Sequence, residues 1–444
     1  MSGEDQVVAE LEQSGTESAA QPEASYRQLA RVKQMRRYLP LDAGADRLYE
    51  EHLGSDDRIR YETRTLAYLR QLLASSKRVV IVLTGNAGHG KTHMCRRLLE
   101  HEDANEDVMA RLGEDRVGGV DWPVSGSSLP VRVIKDLSEL APPETGAKRL
   151  EALMQQEHAH VIVCANEGRL RDVVGRRPAS LQPLLQALVV SDSEGDTSPP
   201  DCPDIHVVNL NHQAAAAGDG GFLRHVLDHF LNHESAWKVC GSCLARSECP
   251  ILANRSDLAL SAAQPEVNAD HRASLIELIR VTEEGGYVLT YRETLVLVAY
   301  LVTGGLSCQD VERVHQGPQA QQLADYRLLN LLFEPRLTED EAEVLKVLRR
   351  IARLDPGHLA IRPVDERLHR ELEEQDTLGQ GVFGDASRQP HARRELRAEE
   401  RVHRDHVRRA RRAAWLQSTD DADGIRRTQR LGLRFHHQFR ALQG

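Results

Sequence analysis

Short apolar runs bounded by polar or turn-forming residues punctuate the first half of the chain, at residues 78–84, 129–134, 160–165 and 205–210. They are rich in Val and Ile, the residue types that fit a pleated, buried surface. Between them lie stretches with a helical apolar period: Lys91 to about Glu100, Gly146 to His158, and the segment holding Leu181, Leu184, Leu185 and Leu188. Strands alternating with helices of this length predict parallel βαβ units, and so an α/β fold with a doubly wound parallel sheet flanked by helices. Ahead of the first strand, residues 26–76 read as a helical lead-in, and Tyr61, Leu66, Leu69, Leu72 and Leu73 give it an apolar face to lay on the sheet domain. After about Gln213 the strand pattern stops and helices follow, including Arg224 to Asn232, Asp270 to Thr282 and an apolar stretch from Tyr291 to Val302.

The first strand runs straight into Gly85-Asn86-Ala87-Gly88-His89-Gly90-Lys91-Thr92, a complete G-x-x-x-x-G-K-T loop. Glycines let such a backbone curl around a phosphate chain with its N–H groups turned inward. Lys91 then reaches the β- and γ-phosphates, the Thr92 hydroxyl is placed to ligate Mg²⁺, and the helix beginning at Lys91 adds its positive end. The expectation is a site for ATP or GTP with Mg²⁺.

Asp136 closes the second strand, where a carboxylate can hold Mg²⁺ together with Thr92. A plainer reading makes it a helix cap, with Glu139 completing a capping box. Leu137 stands where the commonest arrangement has a water-orienting Glu, so Glu139 and then Glu167 are the candidates for that role. Asn166, at the tip of the third strand, suits a polar sensor of the γ-phosphate or its attacking water, or else forms a turn before Glu167-Gly168. Arg169, Arg171, Arg176 and Arg177 follow, and one acting as a finger toward a neighbouring subunit implies a homo-oligomer. Thr290 and Glu293 form a capping box at the start of the apolar helix, and Arg292 between them is a second sensor candidate.

Cys240, Cys243 and Cys249 make C-x2-C-x5-C, three thiolates on one short loop. Tetrahedral Zn²⁺ needs a fourth ligand, for which His233 and Cys308 lead, with His229 and Cys202 behind. An iron–sulfur cluster using Cys308 and chance clustering of buried thiols are the other readings. Cys95 and Cys164 fall in a helix and a strand, where a buried apolar role is expected.

Composition narrows these readings. The chain has 444 residues, 40% hydrophobic and 28% charged, with a net charge of -10. That length fits about two or three domains. The charge excludes coating of nucleic acid through overall positive charge, while leaving room for a local basic surface. No uninterrupted apolar run of roughly 18 residues and no leader pattern is visible, so a cytoplasmic location without membrane contact is expected. Residues 1–25 read as a disordered acidic tail, 77–212 as the nucleotide core, and 213–320 as a helical lid with the cysteine cluster. Residues 321–373 read as a further helical region, 374–390 as a linker, and 391–444 as an Arg-rich helical extension. In that extension Arg393 to Arg412 recur at helical spacing among Glu and Asp, which predicts either a face of i,i+4 ion pairs or contact with DNA phosphates.

Taken together, the glycine loop, the strand ending in Asp136-Leu-Ser-Glu139, Ala-Asn166-Glu-Gly168, Val-Asn209-Leu-Asn211, the C-x2-C-x5-C-P loop and Leu-Thr-Tyr-Arg292 resemble a family. It is that of bacterial defence-associated P-loop ATPases of the AAA or STAND kind, in particular the ATPase component designated F of DNA phosphorothioation-dependent restriction systems. The resemblance spans about residues 60 to 310. It implies ATP hydrolysis coupled to restriction of foreign or unmodified DNA, with other subunits of a defence complex as partners. No paired-carboxylate and lysine constellation of a nuclease is recognisable, so cleavage is expected of a partner.

Overall fold

The computed structural model describes residues 29–39, 59, 61–99, 122–359, 365–366 and 404–416, apart from short gaps at 76, 124–125, 141, 195–197, 199–201 and 261–264. The expected acidic tail, the 374–390 linker and most of the Arg-rich extension lie outside the described residues.

β1 (Val80–Thr84), β2 (Val131–Ile134), β3 (His160–Ala165) and β4 (Ile205–Asn209) form an all-parallel sheet in the order β2-β3-β1-β4. Its strands are near-continuous apolar runs because both faces are covered, as parallel sheets require. On one face Ile81, Leu83, Val133 and Ile162 meet Leu66, Leu69 and Leu73 of the Arg64–Leu73 helix and Met94, Cys95 and Leu98 of the Lys91–Leu99 helix. On the other, Val80, Val82, Val161 and Val163 meet the helices Pro143–Met154, Glu167–Gly175 and Pro178–Glu194. The α/β expectation holds, with strand ends trimmed by one or two residues and the Gly146 helix beginning earlier, at a Pro that suits a first turn.

The lead-in divides between two cores. Arg64–Leu73 lies on the sheet as expected, but the Ala30–Arg36 helix buries Val32 and Met35 in the helical region instead. Periodicity marks which face of a helix is apolar and is silent on which core receives it.

The helical region centres on Tyr291–Thr303, almost every residue of which is buried. Its start is fixed by the Thr290–Glu293 capping box, and its end by Gly304 in the left-handed conformation at φ 60°. By length and composition the stretch Tyr291–Gln316 is apolar enough to cross a membrane; it is broken after Thr303, and 61% of its apolar window is buried within the fold. One apolar cluster joins residues from Leu29 through the Ala217–Leu231, Pro265–Glu284 and Tyr291–Thr303 helices to Leu354 and the 404–416 helix. That last helix inserts Trp415, and its Arg412, 2% exposed, pairs at 2.6 Å with Asp355, equally buried.

Candidate functional site

Strand register brings the singled-out residues to one edge. Thr84 is level with both Ala165 and Asn209, so Gly85, Asn166 and Leu210 begin three loops side by side. Ile134 pairs with Val163, and Asp136, two residues on, reaches the same edge. The chain leaves β1 for the β2 side, returns through β3, and crosses to β4, which opens a crevice at the carboxyl end of β1.

The glycine loop fills that crevice. Gly85, Gly88 and Gly90 have φ of 136°, 89° and 82°. Gly90 is constrained twice over, because a Cβ there would also stand 2.8 Å from the Tyr291 ring. Asn86 and Ala87 are exposed at the tip, His89 is buried, and Thr92 is half-buried on the first helical turn. The Lys91 ammonium donates to the Gly85 and Asn86 carbonyls at 2.8 and 2.9 Å and to the Asn166 Oδ1 at 2.8 Å. Burial lowers its pKa below the ordinary lysine value, and Arg292 adds to the lowering while Cys164 and Asp136 oppose it. His89 is likewise lowered, by burial and then by Lys91. A half-buried cation hydrogen-bonded to neutral carbonyl oxygens is poised to take up anionic charge.

Asn166 sits at the cap position of its helix but gives that helix no side-chain bond, spending its carbonyl oxygen on Lys91 instead. Asp136 accepts from the Ser138 N–H at 2.8 Å and caps a single 3-10 turn, Leu137–Glu139. Asp136 is thus the cap of a short turn, and its charge acts on Lys91. The Glu139 side chain lies outside the described residues. Glu167 is half-buried at the same edge and bound to Arg171 at 2.9 Å. Arg169 bonds the Leu140 carbonyl at 2.9 Å, Arg176 pairs with Asp172 and Glu144, and Arg177 pairs with Glu151. These arginines serve contacts within the chain.

Two further contacts hold the loop, made by residues of Val-Asn209-Leu-Asn211 and Leu-Thr-Tyr-Arg292. Asn211, after β4, accepts the Asn86 N–H on its Oδ1 at 2.8 Å, while its own N–H is held by Asn209 at 3.0 Å. The Asn-x-Asn spacing is the one sequence trace of this grip. The second partner is the start of the central helix: the Arg292 N–H donates to the Gly88 carbonyl at 3.2 Å, and Tyr291 covers Gly90. Tyr291 is in turn fixed by stacking on Phe222, with centroids 4.1 Å apart, and by a 3.0 Å bond from its hydroxyl to Gln213. Arg292 is therefore at the loop, as expected, and Tyr291 is the residue that closes against it.

The junction behind this contact is held by Glu283. Its buried carboxylate accepts from the N–H groups of Ala215, Ala216 and Leu289 at 2.7, 3.1 and 3.3 Å. It thus ties the segment after β4 to the one that delivers Tyr291. Burial raises its pKa, against the opposing pull of those N–H donors.

Far from the crevice, Cys240, Cys243, Cys249 and Cys308 line one cavity of about 30 Å³ together with Arg246. Burial, followed by the neighbouring Cys249, Cys308 and Cys243, pushes the Cys240 thiol up to about 12. Among the described residues no group of three or more His, Cys, Asp or Glu side chains is already gathered to hold an ion. His229 and His233 do not line this cavity, and Cys202 packs in the sheet core. Cys95 and Cys164 are buried against each other beneath Lys91, in the apolar role expected of them.

A comparison with protein-family models and one with curated proteins both return no match.

Proposed function

We propose that the crevice binds ATP with Mg²⁺ and hydrolyses it. In this reading the loop 85–92 wraps the phosphates, Lys91 exchanges its carbonyl partners for the β- and γ-phosphates, and Thr92 and Asp136 hold the ion. Asn166 would sense the γ-phosphate, Glu139 or Glu167 would orient the attacking water, and Arg292 would report occupancy to the helical region. The observation that carries the reading is the Lys91 ammonium, half-buried at the strand tips and shared between loop carbonyls and Asn166.

The cycle belongs, by the family resemblance, to a nucleotide-dependent component of a bacterial DNA restriction or anti-phage system, working with other subunits. DNA contact through the basic extension is the weaker part of that reading, since Arg408, Arg411 and Arg412 are committed to Glu334, Asp365 and Asp355.

Lys91→Ala tests the site. We expect ATP affinity to fall at least roughly 100-fold, the equivalent of about 3 kcal/mol for lost charge-assisted bonds. Unchanged affinity in a folded variant refutes the assignment. A second reading, a nucleotide-gated switch without turnover, is favoured by Leu137, which is buried where a catalytic Glu commonly stands. Steady-state hydrolysis of the wild type, Glu139→Gln and Glu167→Gln separates the two: turnover lost in one Gln variant supports hydrolysis, and retained ATP affinity without any turnover supports the switch. Turnover stimulated by DNA would favour a third reading, a DNA-handling motor or loader.

A further inference from the structure

Cys240 and Cys243 come from the short turn after Trp237, Cys249 precedes the Pro250–Leu258 helix, and Cys308 opens the Cys308–Gln316 helix. The last thiol is nearly sixty residues away in sequence, yet it lines the same small cavity. We propose that these four cysteines form a tetrathiolate site for one zinc ion, with Cys308 as the fourth ligand. The residues around the cavity suit a thiolate cluster. Cys249 is the N-cap residue of Pro250–Leu258 and Cys308 the first residue of Cys308–Gln316, so both thiols stand by the free main-chain N–H groups of a helix start. Such donors orient and stabilise metal-bound thiolates. Arg246 lines the cavity too, a cation beside a centre whose four thiolates outweigh one divalent ion.

Four thiols on one small cavity match the donor set of tetrahedral structural zinc, which takes four ligands at Zn–S distances of about 2.3 Å.

The ion would act on the helix that reaches the glycine loop, but at its far end. Cys308 follows the Gly304–Gly305 turn that terminates Tyr291–Thr303. Cys249 caps the helix whose Asn254 donates to the Val302 carbonyl at 3.2 Å. One ion thus anchors the end of Tyr291–Thr303 opposite to Tyr291 and Arg292.

Elemental analysis of the full chain, purified without chelator from zinc-supplied medium, provides the test. We expect about one zinc per chain, lost in Cys308→Ser and kept in Cys202→Ser. Zinc at background level in folded protein, full zinc retained by Cys308→Ser, or iron with labile sulfide and visible absorption would each overturn the proposal. Should Cys308→Ser fail to fold, cobalt exchange into the wild type gives an independent measure. Visible d–d bands with thiolate charge-transfer absorption support four sulfur ligands, and an octahedral, weakly absorbing spectrum overturns them.

Discussion

The sheet half and the helical half of this protein are built on opposite plans. In the sheet half both faces are filled mainly by apolar side chains, with buried His160 and His206 toward the starts of β3 and β4, and the candidate site collects at the opposite edge, on loops that hold Gly85, Gly88 and Gly90. In the helical half, polar groups sit inside the packing and fix which helix meets which: Arg412 with Asp355, Asn254 with the carbonyls of Val302 and Tyr326, and Glu283 with three N–H groups. Apolar contacts are non-directional, whereas a buried charge tolerates one arrangement of partners. The half that would bind nucleotide is thus shaped by strand order, and the half that would respond is shaped by polar pegs.

That contrast predicts a ranking of mutational effects. The largest is expected at Arg412→Ala, which strands the buried Asp355 and removes the cation over the Phe333 ring. Breaking such a pair costs about 3–5 kcal/mol, so thermal unfolding should show the helical half melting early while the sheet half keeps its transition. A uniform shift of one cooperative transition would instead join the halves into a single unit and end the comparison.

Next comes Glu283→Gln, which turns one accepting oxygen into a donor facing main-chain N–H groups. We expect about 1–3 kcal/mol of destabilisation and a several-fold weaker grip on ATP, because the segment delivering Tyr291 and Arg292 loosens. Destabilisation with unaltered ATP affinity would show that Glu283 serves folding alone.

The smallest effect is expected from pH. His89, His160 and His206 all have pKa values lowered by burial from 6.5, so the unfolded chain binds protons that the folded one resists. Stability is then unpenalised above about 6.5 and declines as pH falls toward the lowered folded values. His160 and His206 lie in β3 and β4, and His89 in the glycine loop, so the loss should concentrate in the sheet half. Denaturant midpoints measured between neutral and mildly acidic pH check this; midpoints that rise on acidification would contradict it. At the alkaline end the Lys91 value, lowered by burial, makes ATP affinity begin to fall at a lower pH than an ordinary lysine would give.

Much of the sheet half was legible along the chain, because buried parallel strands write themselves as runs of Val and Ile and the loop after β1 stands out by its glycine spacing. Asn166 and Arg292 could be singled out from their places at a strand tip and a helix start. The contacts of Asn211, Tyr291 and Glu283 could not, since each acts on a partner at least 67 residues away along the chain or on a main-chain group that carries no sequence signature. The Arg-rich end shows the same limit: helical spacing of arginines fits a solvated face, a DNA contact or a buried peg, and only the docking of Trp415 decides for the peg at Arg412.

By itself, then, the sequence determined which segments are strands and helices, and that one loop carries a complete G-x-x-x-x-G-K-T spacing, because these follow from local backbone preference and short spacing. The strand order that gathers Gly85, Asn166 and Asp136, the closing of Tyr291 over Gly90, and the meeting of Cys308 with Cys240, Cys243 and Cys249 at one cavity were decided only by tertiary structure. The physical reason is that these contacts join residues distant along the chain, and their cost in chain entropy is recovered only once the whole core has formed.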